Sequence, residues 1–281
     1  MSTTIALFGA GAMGSAVGRR LAESGAKVIT FLDGRSEATI ERARAAGLIA
    51  APLSAFAEAD IILSIVPPAE AQKVADLIAQ VLRDSGNKPP FVDLNAISPK
   101  TMETLAAGLA SSGSKVIDGS IIGGPPVPGK AGPVVCLSGD LAGEPDLLSR
   151  FGLKIRRVKG PVGAASALKM CYAGINKGIT GLSAAMLLAA ARSGASDALK
   201  VELAESQSEH LKRLRQSIPD MFPKAYRWVA EMEEIAEFLG EDDPAALIFK
   251  GMAGVFQTIA DDRTGSRELI ATLERMLEDG D

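Results

Sequence analysis

The hexapeptide GAGAMG, residues 9–14, constrains this chain more than any other feature. Its G-x-G-x-x-G spacing is weak evidence alone. Here it directly follows TIALF, residues 4–8, which reads as a strand. It also opens an amphipathic helix with Met13, Val17 and Leu21 on one stripe and Gly25 at its end. KVITFL, residues 27–32, supplies the next strand and completes a β-α-β unit. In such a unit Gly9 permits the tight turn and Gly11 lets the backbone approach a pyrophosphate. Gly14 lets the helix pack close to the strand. Ala12 and Met13 lie in the first turn, whose N–H groups have no partner within the helix. A turn with a purely structural purpose is the competing reading, and it leaves the strand–turn–helix–strand context unused.

The end of the second strand, FLDGRS, residues 31–36, carries two conflicting cues. Asp33 lies 19 positions after Gly14, suited to accept a hydrogen bond from a ribose 2′-hydroxyl, which favours NAD. Arg35 and Ser36 suit a 2′-phosphate, which favours NADP. Arg35 as a solvated loop charge is the plain alternative.

Short β-branched runs continue at DIILSIV (60–66), PFVDL (90–94) and KVID (115–118), with helical stretches at 71–83 and 99–110. Ser98-Pro99 is a helix start, with Ser at the cap and Pro in the first turn. Strand alternating with helix, the strands almost wholly apolar, predicts a doubly wound parallel sheet covered on both faces. After about residue 160 strand signals stop. Helices are expected over 163–193, 197–216, 225–239, 244–260 and 266–278, punctuated by Pro219, Pro223, GEDDP and DDRTG. The domains are therefore expected at 1–160, α/β, and 161–281, all-helical.

Composition narrows the function. The net charge of −4 argues against a nucleic-acid partner. A single histidine, His210, and two cysteines, Cys136 and Cys171, make a metal site improbable, and the cysteines are expected as buried thiols. The longest charge-free apolar run, GITGLSAAMLLAAA (178–191), is too short and too rich in small residues to span a membrane. No targeting pattern is visible at the start, so a cytoplasmic enzyme is expected.

One helix raises a question of charge. From Arg150 to Arg192 there are eight cations and no acid. Within it Lys169, Tyr172, Ala173 and Asn176 fall at i, i+3, i+4 and i+7, on one face, with Lys177 beside them. A small anionic ligand held between the domains would supply the missing charge. The alternative is that both lysines reach solvent. A lysine desolvated in an acid-free setting has a lowered pKa and becomes a usable base.

Three motifs fall together in one order: GAGAMG, DGSIIGG (118–124) and GPVGAASALKMCYAGINKG (160–178). In this the chain resembles the β-hydroxyacid dehydrogenases, which include 3-hydroxyisobutyrate and 6-phosphogluconate dehydrogenases. The helical part looks closer to an NAD(P)-binding branch related to the latter. The resemblance implies a Rossmann domain followed by a helical domain, with substrate between them. It implies hydride transfer to or from nicotinamide, with Lys169 as the general acid and base. DLNAISP (93–99) resembles the segment near the nicotinamide, which implicates Asn95. Val66 and Pro67 complete the expected cofactor contacts. Ile122, Gly123 and Gly124 match the substrate loop, with Tyr172, Asn176 and Lys177 as further substrate contacts. NADP-using relatives often carry Asn-Arg-Ser/Thr where Gly34-Arg35-Ser36 stands, so NADP(H) is favoured and NAD(H) is possible.

Three positions depart from the family pattern. Ala173 stands where many members have Asn, Ile122 where Ser is common, and Asn176 where the 6-phosphogluconate enzymes have an acid. A substrate other than those two is therefore expected: a small hydroxy acid or its keto form. An imine or keto reductase and a non-catalytic NADPH-binding protein are the alternatives. Tyr226 and Trp228 are read as packing anchors, or as contacts in a homodimer formed through the helical domain.

Overall fold

The computed structural model describes residues 3–278. It divides into two compact units, with the division after Lys169. That point lies inside a helix, past the boundary expected at 160.

The first unit begins with β1 (Thr4–Phe8), α1 (Ala12–Glu23), β2 (Lys27–Thr30), α2 (Glu37–Ala45) and β3 (Ile49–Ala50). It continues with β4 (Ile61–Ser64), α3 (Ala71–Arg83), β5 (Phe91–Asp93) and α4 (Pro99–Ala110). It closes with β6 (Val116–Ile122), β7 (Val134–Ser138), α5 (Glu144–Arg150) and β8 (Lys154–Arg157). One sheet runs β3-β2-β1-β4-β5-β6-β7-β8. The first six strands in that order are parallel, the arrangement of a Rossmann sheet. β7 turns back antiparallel to β6, and β8 follows parallel to β7. The sheet is thus mostly parallel, with a reversed pair at one edge. β8, KIRR, is polar and largely exposed, a composition that blunts an edge strand.

Both faces of this sheet are packed. Val17 and Leu21 of α1 and Leu148 of α5 meet Ile5, Leu7, Val92 and Ile117 on one side. Val74, Ile78 and Leu82 of α3 and Met102 and Leu105 of α4 meet Ala6, Phe8, Ile62 and Phe91 on the other. Burying each such side chain contributes about 1.5–3 kcal/mol. The Ser98 side chain accepts from the Thr101 N–H at 3.2 Å, with Pro99 opening α4, as the sequence predicts.

The helix α6 (Ala164–Arg192) runs through the division. After it come α7 (Ser196–Ser206), α8 (Ser208–Met221), α9 (Ala225–Leu239), α10 (Pro244–Thr264) and α11 (Glu268–Leu277). The helix expected over 197–216 is two helices, broken where Gln207 takes φ −141° and ψ 45°. Pro219 does not end a helix; it lies in the last turn of α8. In the second unit Gly174 and Gly181 of α6 admit α10: a Cβ on Gly174 would meet the Phe249 ring, and one on Gly181 would meet Met252 and Phe256. Trp228 packs edge-on against Phe256 at 5.2 Å between ring centres, while Tyr226 is exposed. No helix among the described residues is long and apolar enough to cross a membrane.

Candidate active site

The glycine loop sits between β1 and α1, and its three glycines differ in what surrounds them. Gly9 has φ +103°, and a Cβ there would lie 2.2 Å from the Ile65 carbonyl oxygen. A Cβ on Gly14 would lie 1.8 Å from the Gly9 carbonyl oxygen. Both positions exclude any side chain. A Cβ on Gly11 would meet no protein atom within 4 Å, so the space above it is open to a ligand. Gly11 is also the cap of α1, and the N–H groups of Ala12, Met13 and Gly14 belong to the first turn. Donors and helix dipole there suit an anion. These residues fit a dinucleotide pyrophosphate.

At the end of β2, Asp33, Arg35 and Ser36 are all exposed. Gly34 turns the chain with φ +72°. Arg35 lies over the Phe8 ring at 5.4 Å, so this cation is anchored at the top of β1 rather than drifting in solvent. Ser36 shares a hydrogen bond with the Thr39 hydroxyl at 3.0 Å. Arg42 was not singled out from the sequence. Its guanidinium donates to the Ala10 carbonyl at 3.3 Å and holds the glycine loop from α2.

Across the middle of the sheet runs a row of polar side chains. Ser64 pairs in register with Asp93, Asp93 with Asp118, and Asp118 with Ser138. These four residues from four adjacent strands are all fully buried. Neighbours in register point to one face, here the α3 and α4 face. Each end of the row holds something in place. Asn95 donates from its amide to Asp93 Oδ2 at 2.6 Å and to Ser64 Oγ at 3.0 Å. Its carbonyl accepts from the Val66 N–H at 2.6 Å. Asp118 accepts from the Ser138 hydroxyl and from the N–H groups of Gly163, Ala165 and Ser166, all within 3.1 Å, and from the Ser166 hydroxyl at 2.6 Å. A carboxylate from β6 therefore satisfies the first turn of α6, the helix that carries Lys169. Ser120 adds a second tie, donating to the Ala165 carbonyl at 2.8 Å.

Burial drives the Asp93 carboxyl up to about 7. Asn95 opposes the rise with its two donors, the Asp118 charge adds to it, and the Lys169 charge opposes it. An acid absent from the chain around Lys169 thus acts on it from the end of β5. The acid-free setting expected for Lys169 holds along the chain and fails in space. Lys169 itself is half-buried. At the other end of β6, Gly123 has φ +122°, and a Cβ on Gly124 would meet nothing within 4 Å.

Residues 4–148 match the family of the NAD binding domain of 6-phosphogluconate dehydrogenase. The chain belongs to that family. Residues 190–259 match a domain of unknown function, DUF1932. An uncharacterised 28.5 kDa protein of Methanothermus fervidus is 27% identical over 236 residues, 83% of this chain and 90% of that one. The structure of a conserved protein of unknown function, itself similar to 3-hydroxyacid dehydrogenases, superposes with a TM-score of 0.78 at 27% identity over 93% of this chain and 98% of that one. The fold also matches the Mycobacterium tuberculosis 3-hydroxyisobutyrate dehydrogenase solved with L-serine, with a TM-score of 0.77 at 20% identity over 97% and 99% of the two chains. An NAD(P)-binding domain of the dehydrogenase superfamily is therefore present.

Within this family member several expected site residues stand differently from the sequence reading. Asn95 is 2% exposed, and its side chain is spent inside the protein. It ties the Val66 segment, next to the exposed Pro67, to Asp93 and Ser64. Lys177 has partners within the protein. It pairs with Glu231 of α9 and lies over the Trp228 ring at 5.1 Å. Asn176 donates to the Tyr172 carbonyl at 2.7 Å and accepts from Arg213. Tyr172 is exposed, as is Cys171, which is not the buried thiol expected. Cys136 is buried, and burial pushes its thiol up. Ile122 pairs with Val134 at the end of β6. Among the described residues no group of three or more His, Cys, Asp or Glu could hold a metal.

Proposed function

We propose that this protein is an NADP(H)-dependent oxidoreductase acting on a small hydroxy acid or its keto form. The observation that supports it most is that one sheet carries both the dinucleotide loop and, through Asp118, the anchored start of the helix bearing Lys169. The N–H groups of Ala12, Met13 and Gly14 would hold the pyrophosphate, with Gly9 and Gly14 fixing the turn. Arg35 and Ser36 would hold a 2′-phosphate, and Asp33 would accept from the ribose of NAD(H). When bound, the nicotinamide supplies the hydride acceptor or donor. Lys169 would hold and move the proton of the substrate oxygen, a role that contributes roughly 10²–10⁴ in rate. The backbone N–H groups of Gly123 and Gly124 would face the substrate carboxylate.

Ile122 and Ala173, apolar where relatives carry Ser and Asn, favour a second reading as an imine or keto reductase with no carboxylate in the substrate. A homodimer through the helical unit belongs to the same proposal. The exposed Tyr172, Ile175, Leu182 and Met186 of α6 support it.

The test is a panel of small hydroxy acids, L-serine and 3-hydroxyisobutyrate among them, against their carboxylate-free counterparts, with NADP⁺ and NAD⁺. Turnover confined to the acids and faster with NADP⁺ is expected. Equal turnover without the carboxylate would favour the second reading. No turnover of any compound would leave a binding protein.

A further inference from the structure

The buried row contains a group that the proposed reaction leaves without a task. Asp93 is fully enclosed beside Asp118. Asp118 receives five hydrogen bonds and is committed to the start of α6. Asp93 accepts from Asn95 twice: from its N–H at 2.9 Å on Oδ1 and from its amide on Oδ2. The groups facing it are few. Ser64 of β4 and Asn95 of the turn before α4 carry no charge. Asp118 of β6 carries a negative charge, and Lys169 of α6 is a cation acting on it.

Lys169 reaches this place by helix geometry. Ala165 and Lys169 stand at i and i+4, on one face of α6, and Ala165 is bonded to Asp118 and Ser120. Side chains lean toward the helix N-terminus, which directs Lys169 back toward the turn that rests on β6. The Asp93 and Asp118 carboxyls are enclosed side by side, and the charge of the half-buried Lys169 acts on Asp93. Ionising both carboxyls leaves a buried negative charge without a counterpart, which is costly. The Asp93 value of about 7 agrees with that count.

We propose that Asp93 is a positioning residue for the reaction: with its carboxylate formed the Lys169 ammonium holds its proton, and with its carboxyl neutral that proton leaves more readily. The inference rests on Lys169 acting in the proposed oxidoreduction. It assigns Asp93 the task of setting how Lys169 gives and takes a proton near neutral pH. Its second task is mechanical, since Asn95 ties the same carboxyl to Val66.

The experiment follows the Lys169 Nζ resonance in isotopically labelled full-length protein without added ligand, from pH 5 to pH 11. Lys169→Arg identifies the signal by its loss. The parent signal is expected to shift in two steps, one near pH 7 as Asp93 ionises and one as Lys169 itself titrates. In Asp93→Asn the first step should vanish and the second fall by roughly one pH unit, the size of one unit charge lost at close range. A parent signal flat between pH 6 and pH 8 would overturn the proposal, whether or not the variant folds. So would an unchanged Lys169 midpoint in a folded Asp93→Asn.

Thermal unfolding gives an independent reading. A carboxyl raised on folding supports stability fully at acid pH, and that support is lost as pH rises from the usual carboxylate range to about 7. The melting temperature of Asp93→Asn relative to the parent should therefore rise from pH 5 to pH 8, and a constant difference would count against the titration. Failure of every compound in the panel would remove the oxidoreductase reading and leave this coupling standing. A Lys169 blind to Asp93 would do the reverse.

Discussion

Lys169 and Lys177 lie on one helix in different units of the molecule, and they have opposite surroundings. The charge of the first acts on the enclosed Asp93 of the sheet. The second is closed off by Glu231 and Trp228 within the helical unit. The two units treat glycine in the same contrasting way. Gly14 is hemmed in by backbone, while Gly181 is approached by the ends of side chains, Met252 and Phe256. At Gly14 the first unit sets backbone against backbone. At Gly181 the second packs with side-chain ends that can shift, and it pairs Lys177 with Glu231.

That contrast can be broken by substitution. Gly14→Ala should have the largest effect, because its Cβ would lie 1.8 Å from a carbonyl oxygen that the turn cannot move. Calorimetric titration with NADPH should show no binding, and a folded variant with parent affinity would refute the loop assignment. Gly181→Ala should cost about 1–3 kcal/mol, the usual price of overpacking where side chains give way. Denaturant unfolding measures it, and a loss as large as that of Gly14→Ala would erase the distinction between the units. Lys177→Met should have the smallest effect, below about 1 kcal/mol, since it removes a partly exposed ion pair and one ring contact. NADPH affinity should not change.

Much of the first unit was legible in the sequence because its signals are local. The glycine loop, the Ser98-Pro99 helix start and the helices over 71–83 and 99–110 each announce themselves within a few residues. The reversed pair β7 and β8 was not legible. VVCLS follows a proline-rich stretch, KIRR is charged, and both become strands only by pairing far along the chain. The break at Gln207 carries no glycine or proline to mark it.

For the site, Lys169 and the dinucleotide loop could be singled out from motifs. The buried row could not, because it is a property of register. A faint signal exists: the apolar strands β4, β5 and β7 each end on a polar residue, Ser64, Asp93 and Ser138, and β6 carries Asp118 within an apolar run. The partner of Lys177 was hidden for a similar reason, since Glu231 lies on another helix.

The central claim is that Lys169 moves the substrate proton and Lys177 does not. The direct measurement is turnover of the best hydroxy acid of the panel by Lys169→Met and Lys177→Met side by side, with NADPH affinity determined for both. The account predicts a loss of about 10²–10⁴ in kcat for Lys169→Met with cofactor affinity retained, and near-parent turnover for Lys177→Met. Near-parent turnover by Lys169→Met, or an equal loss from both variants, would contradict it.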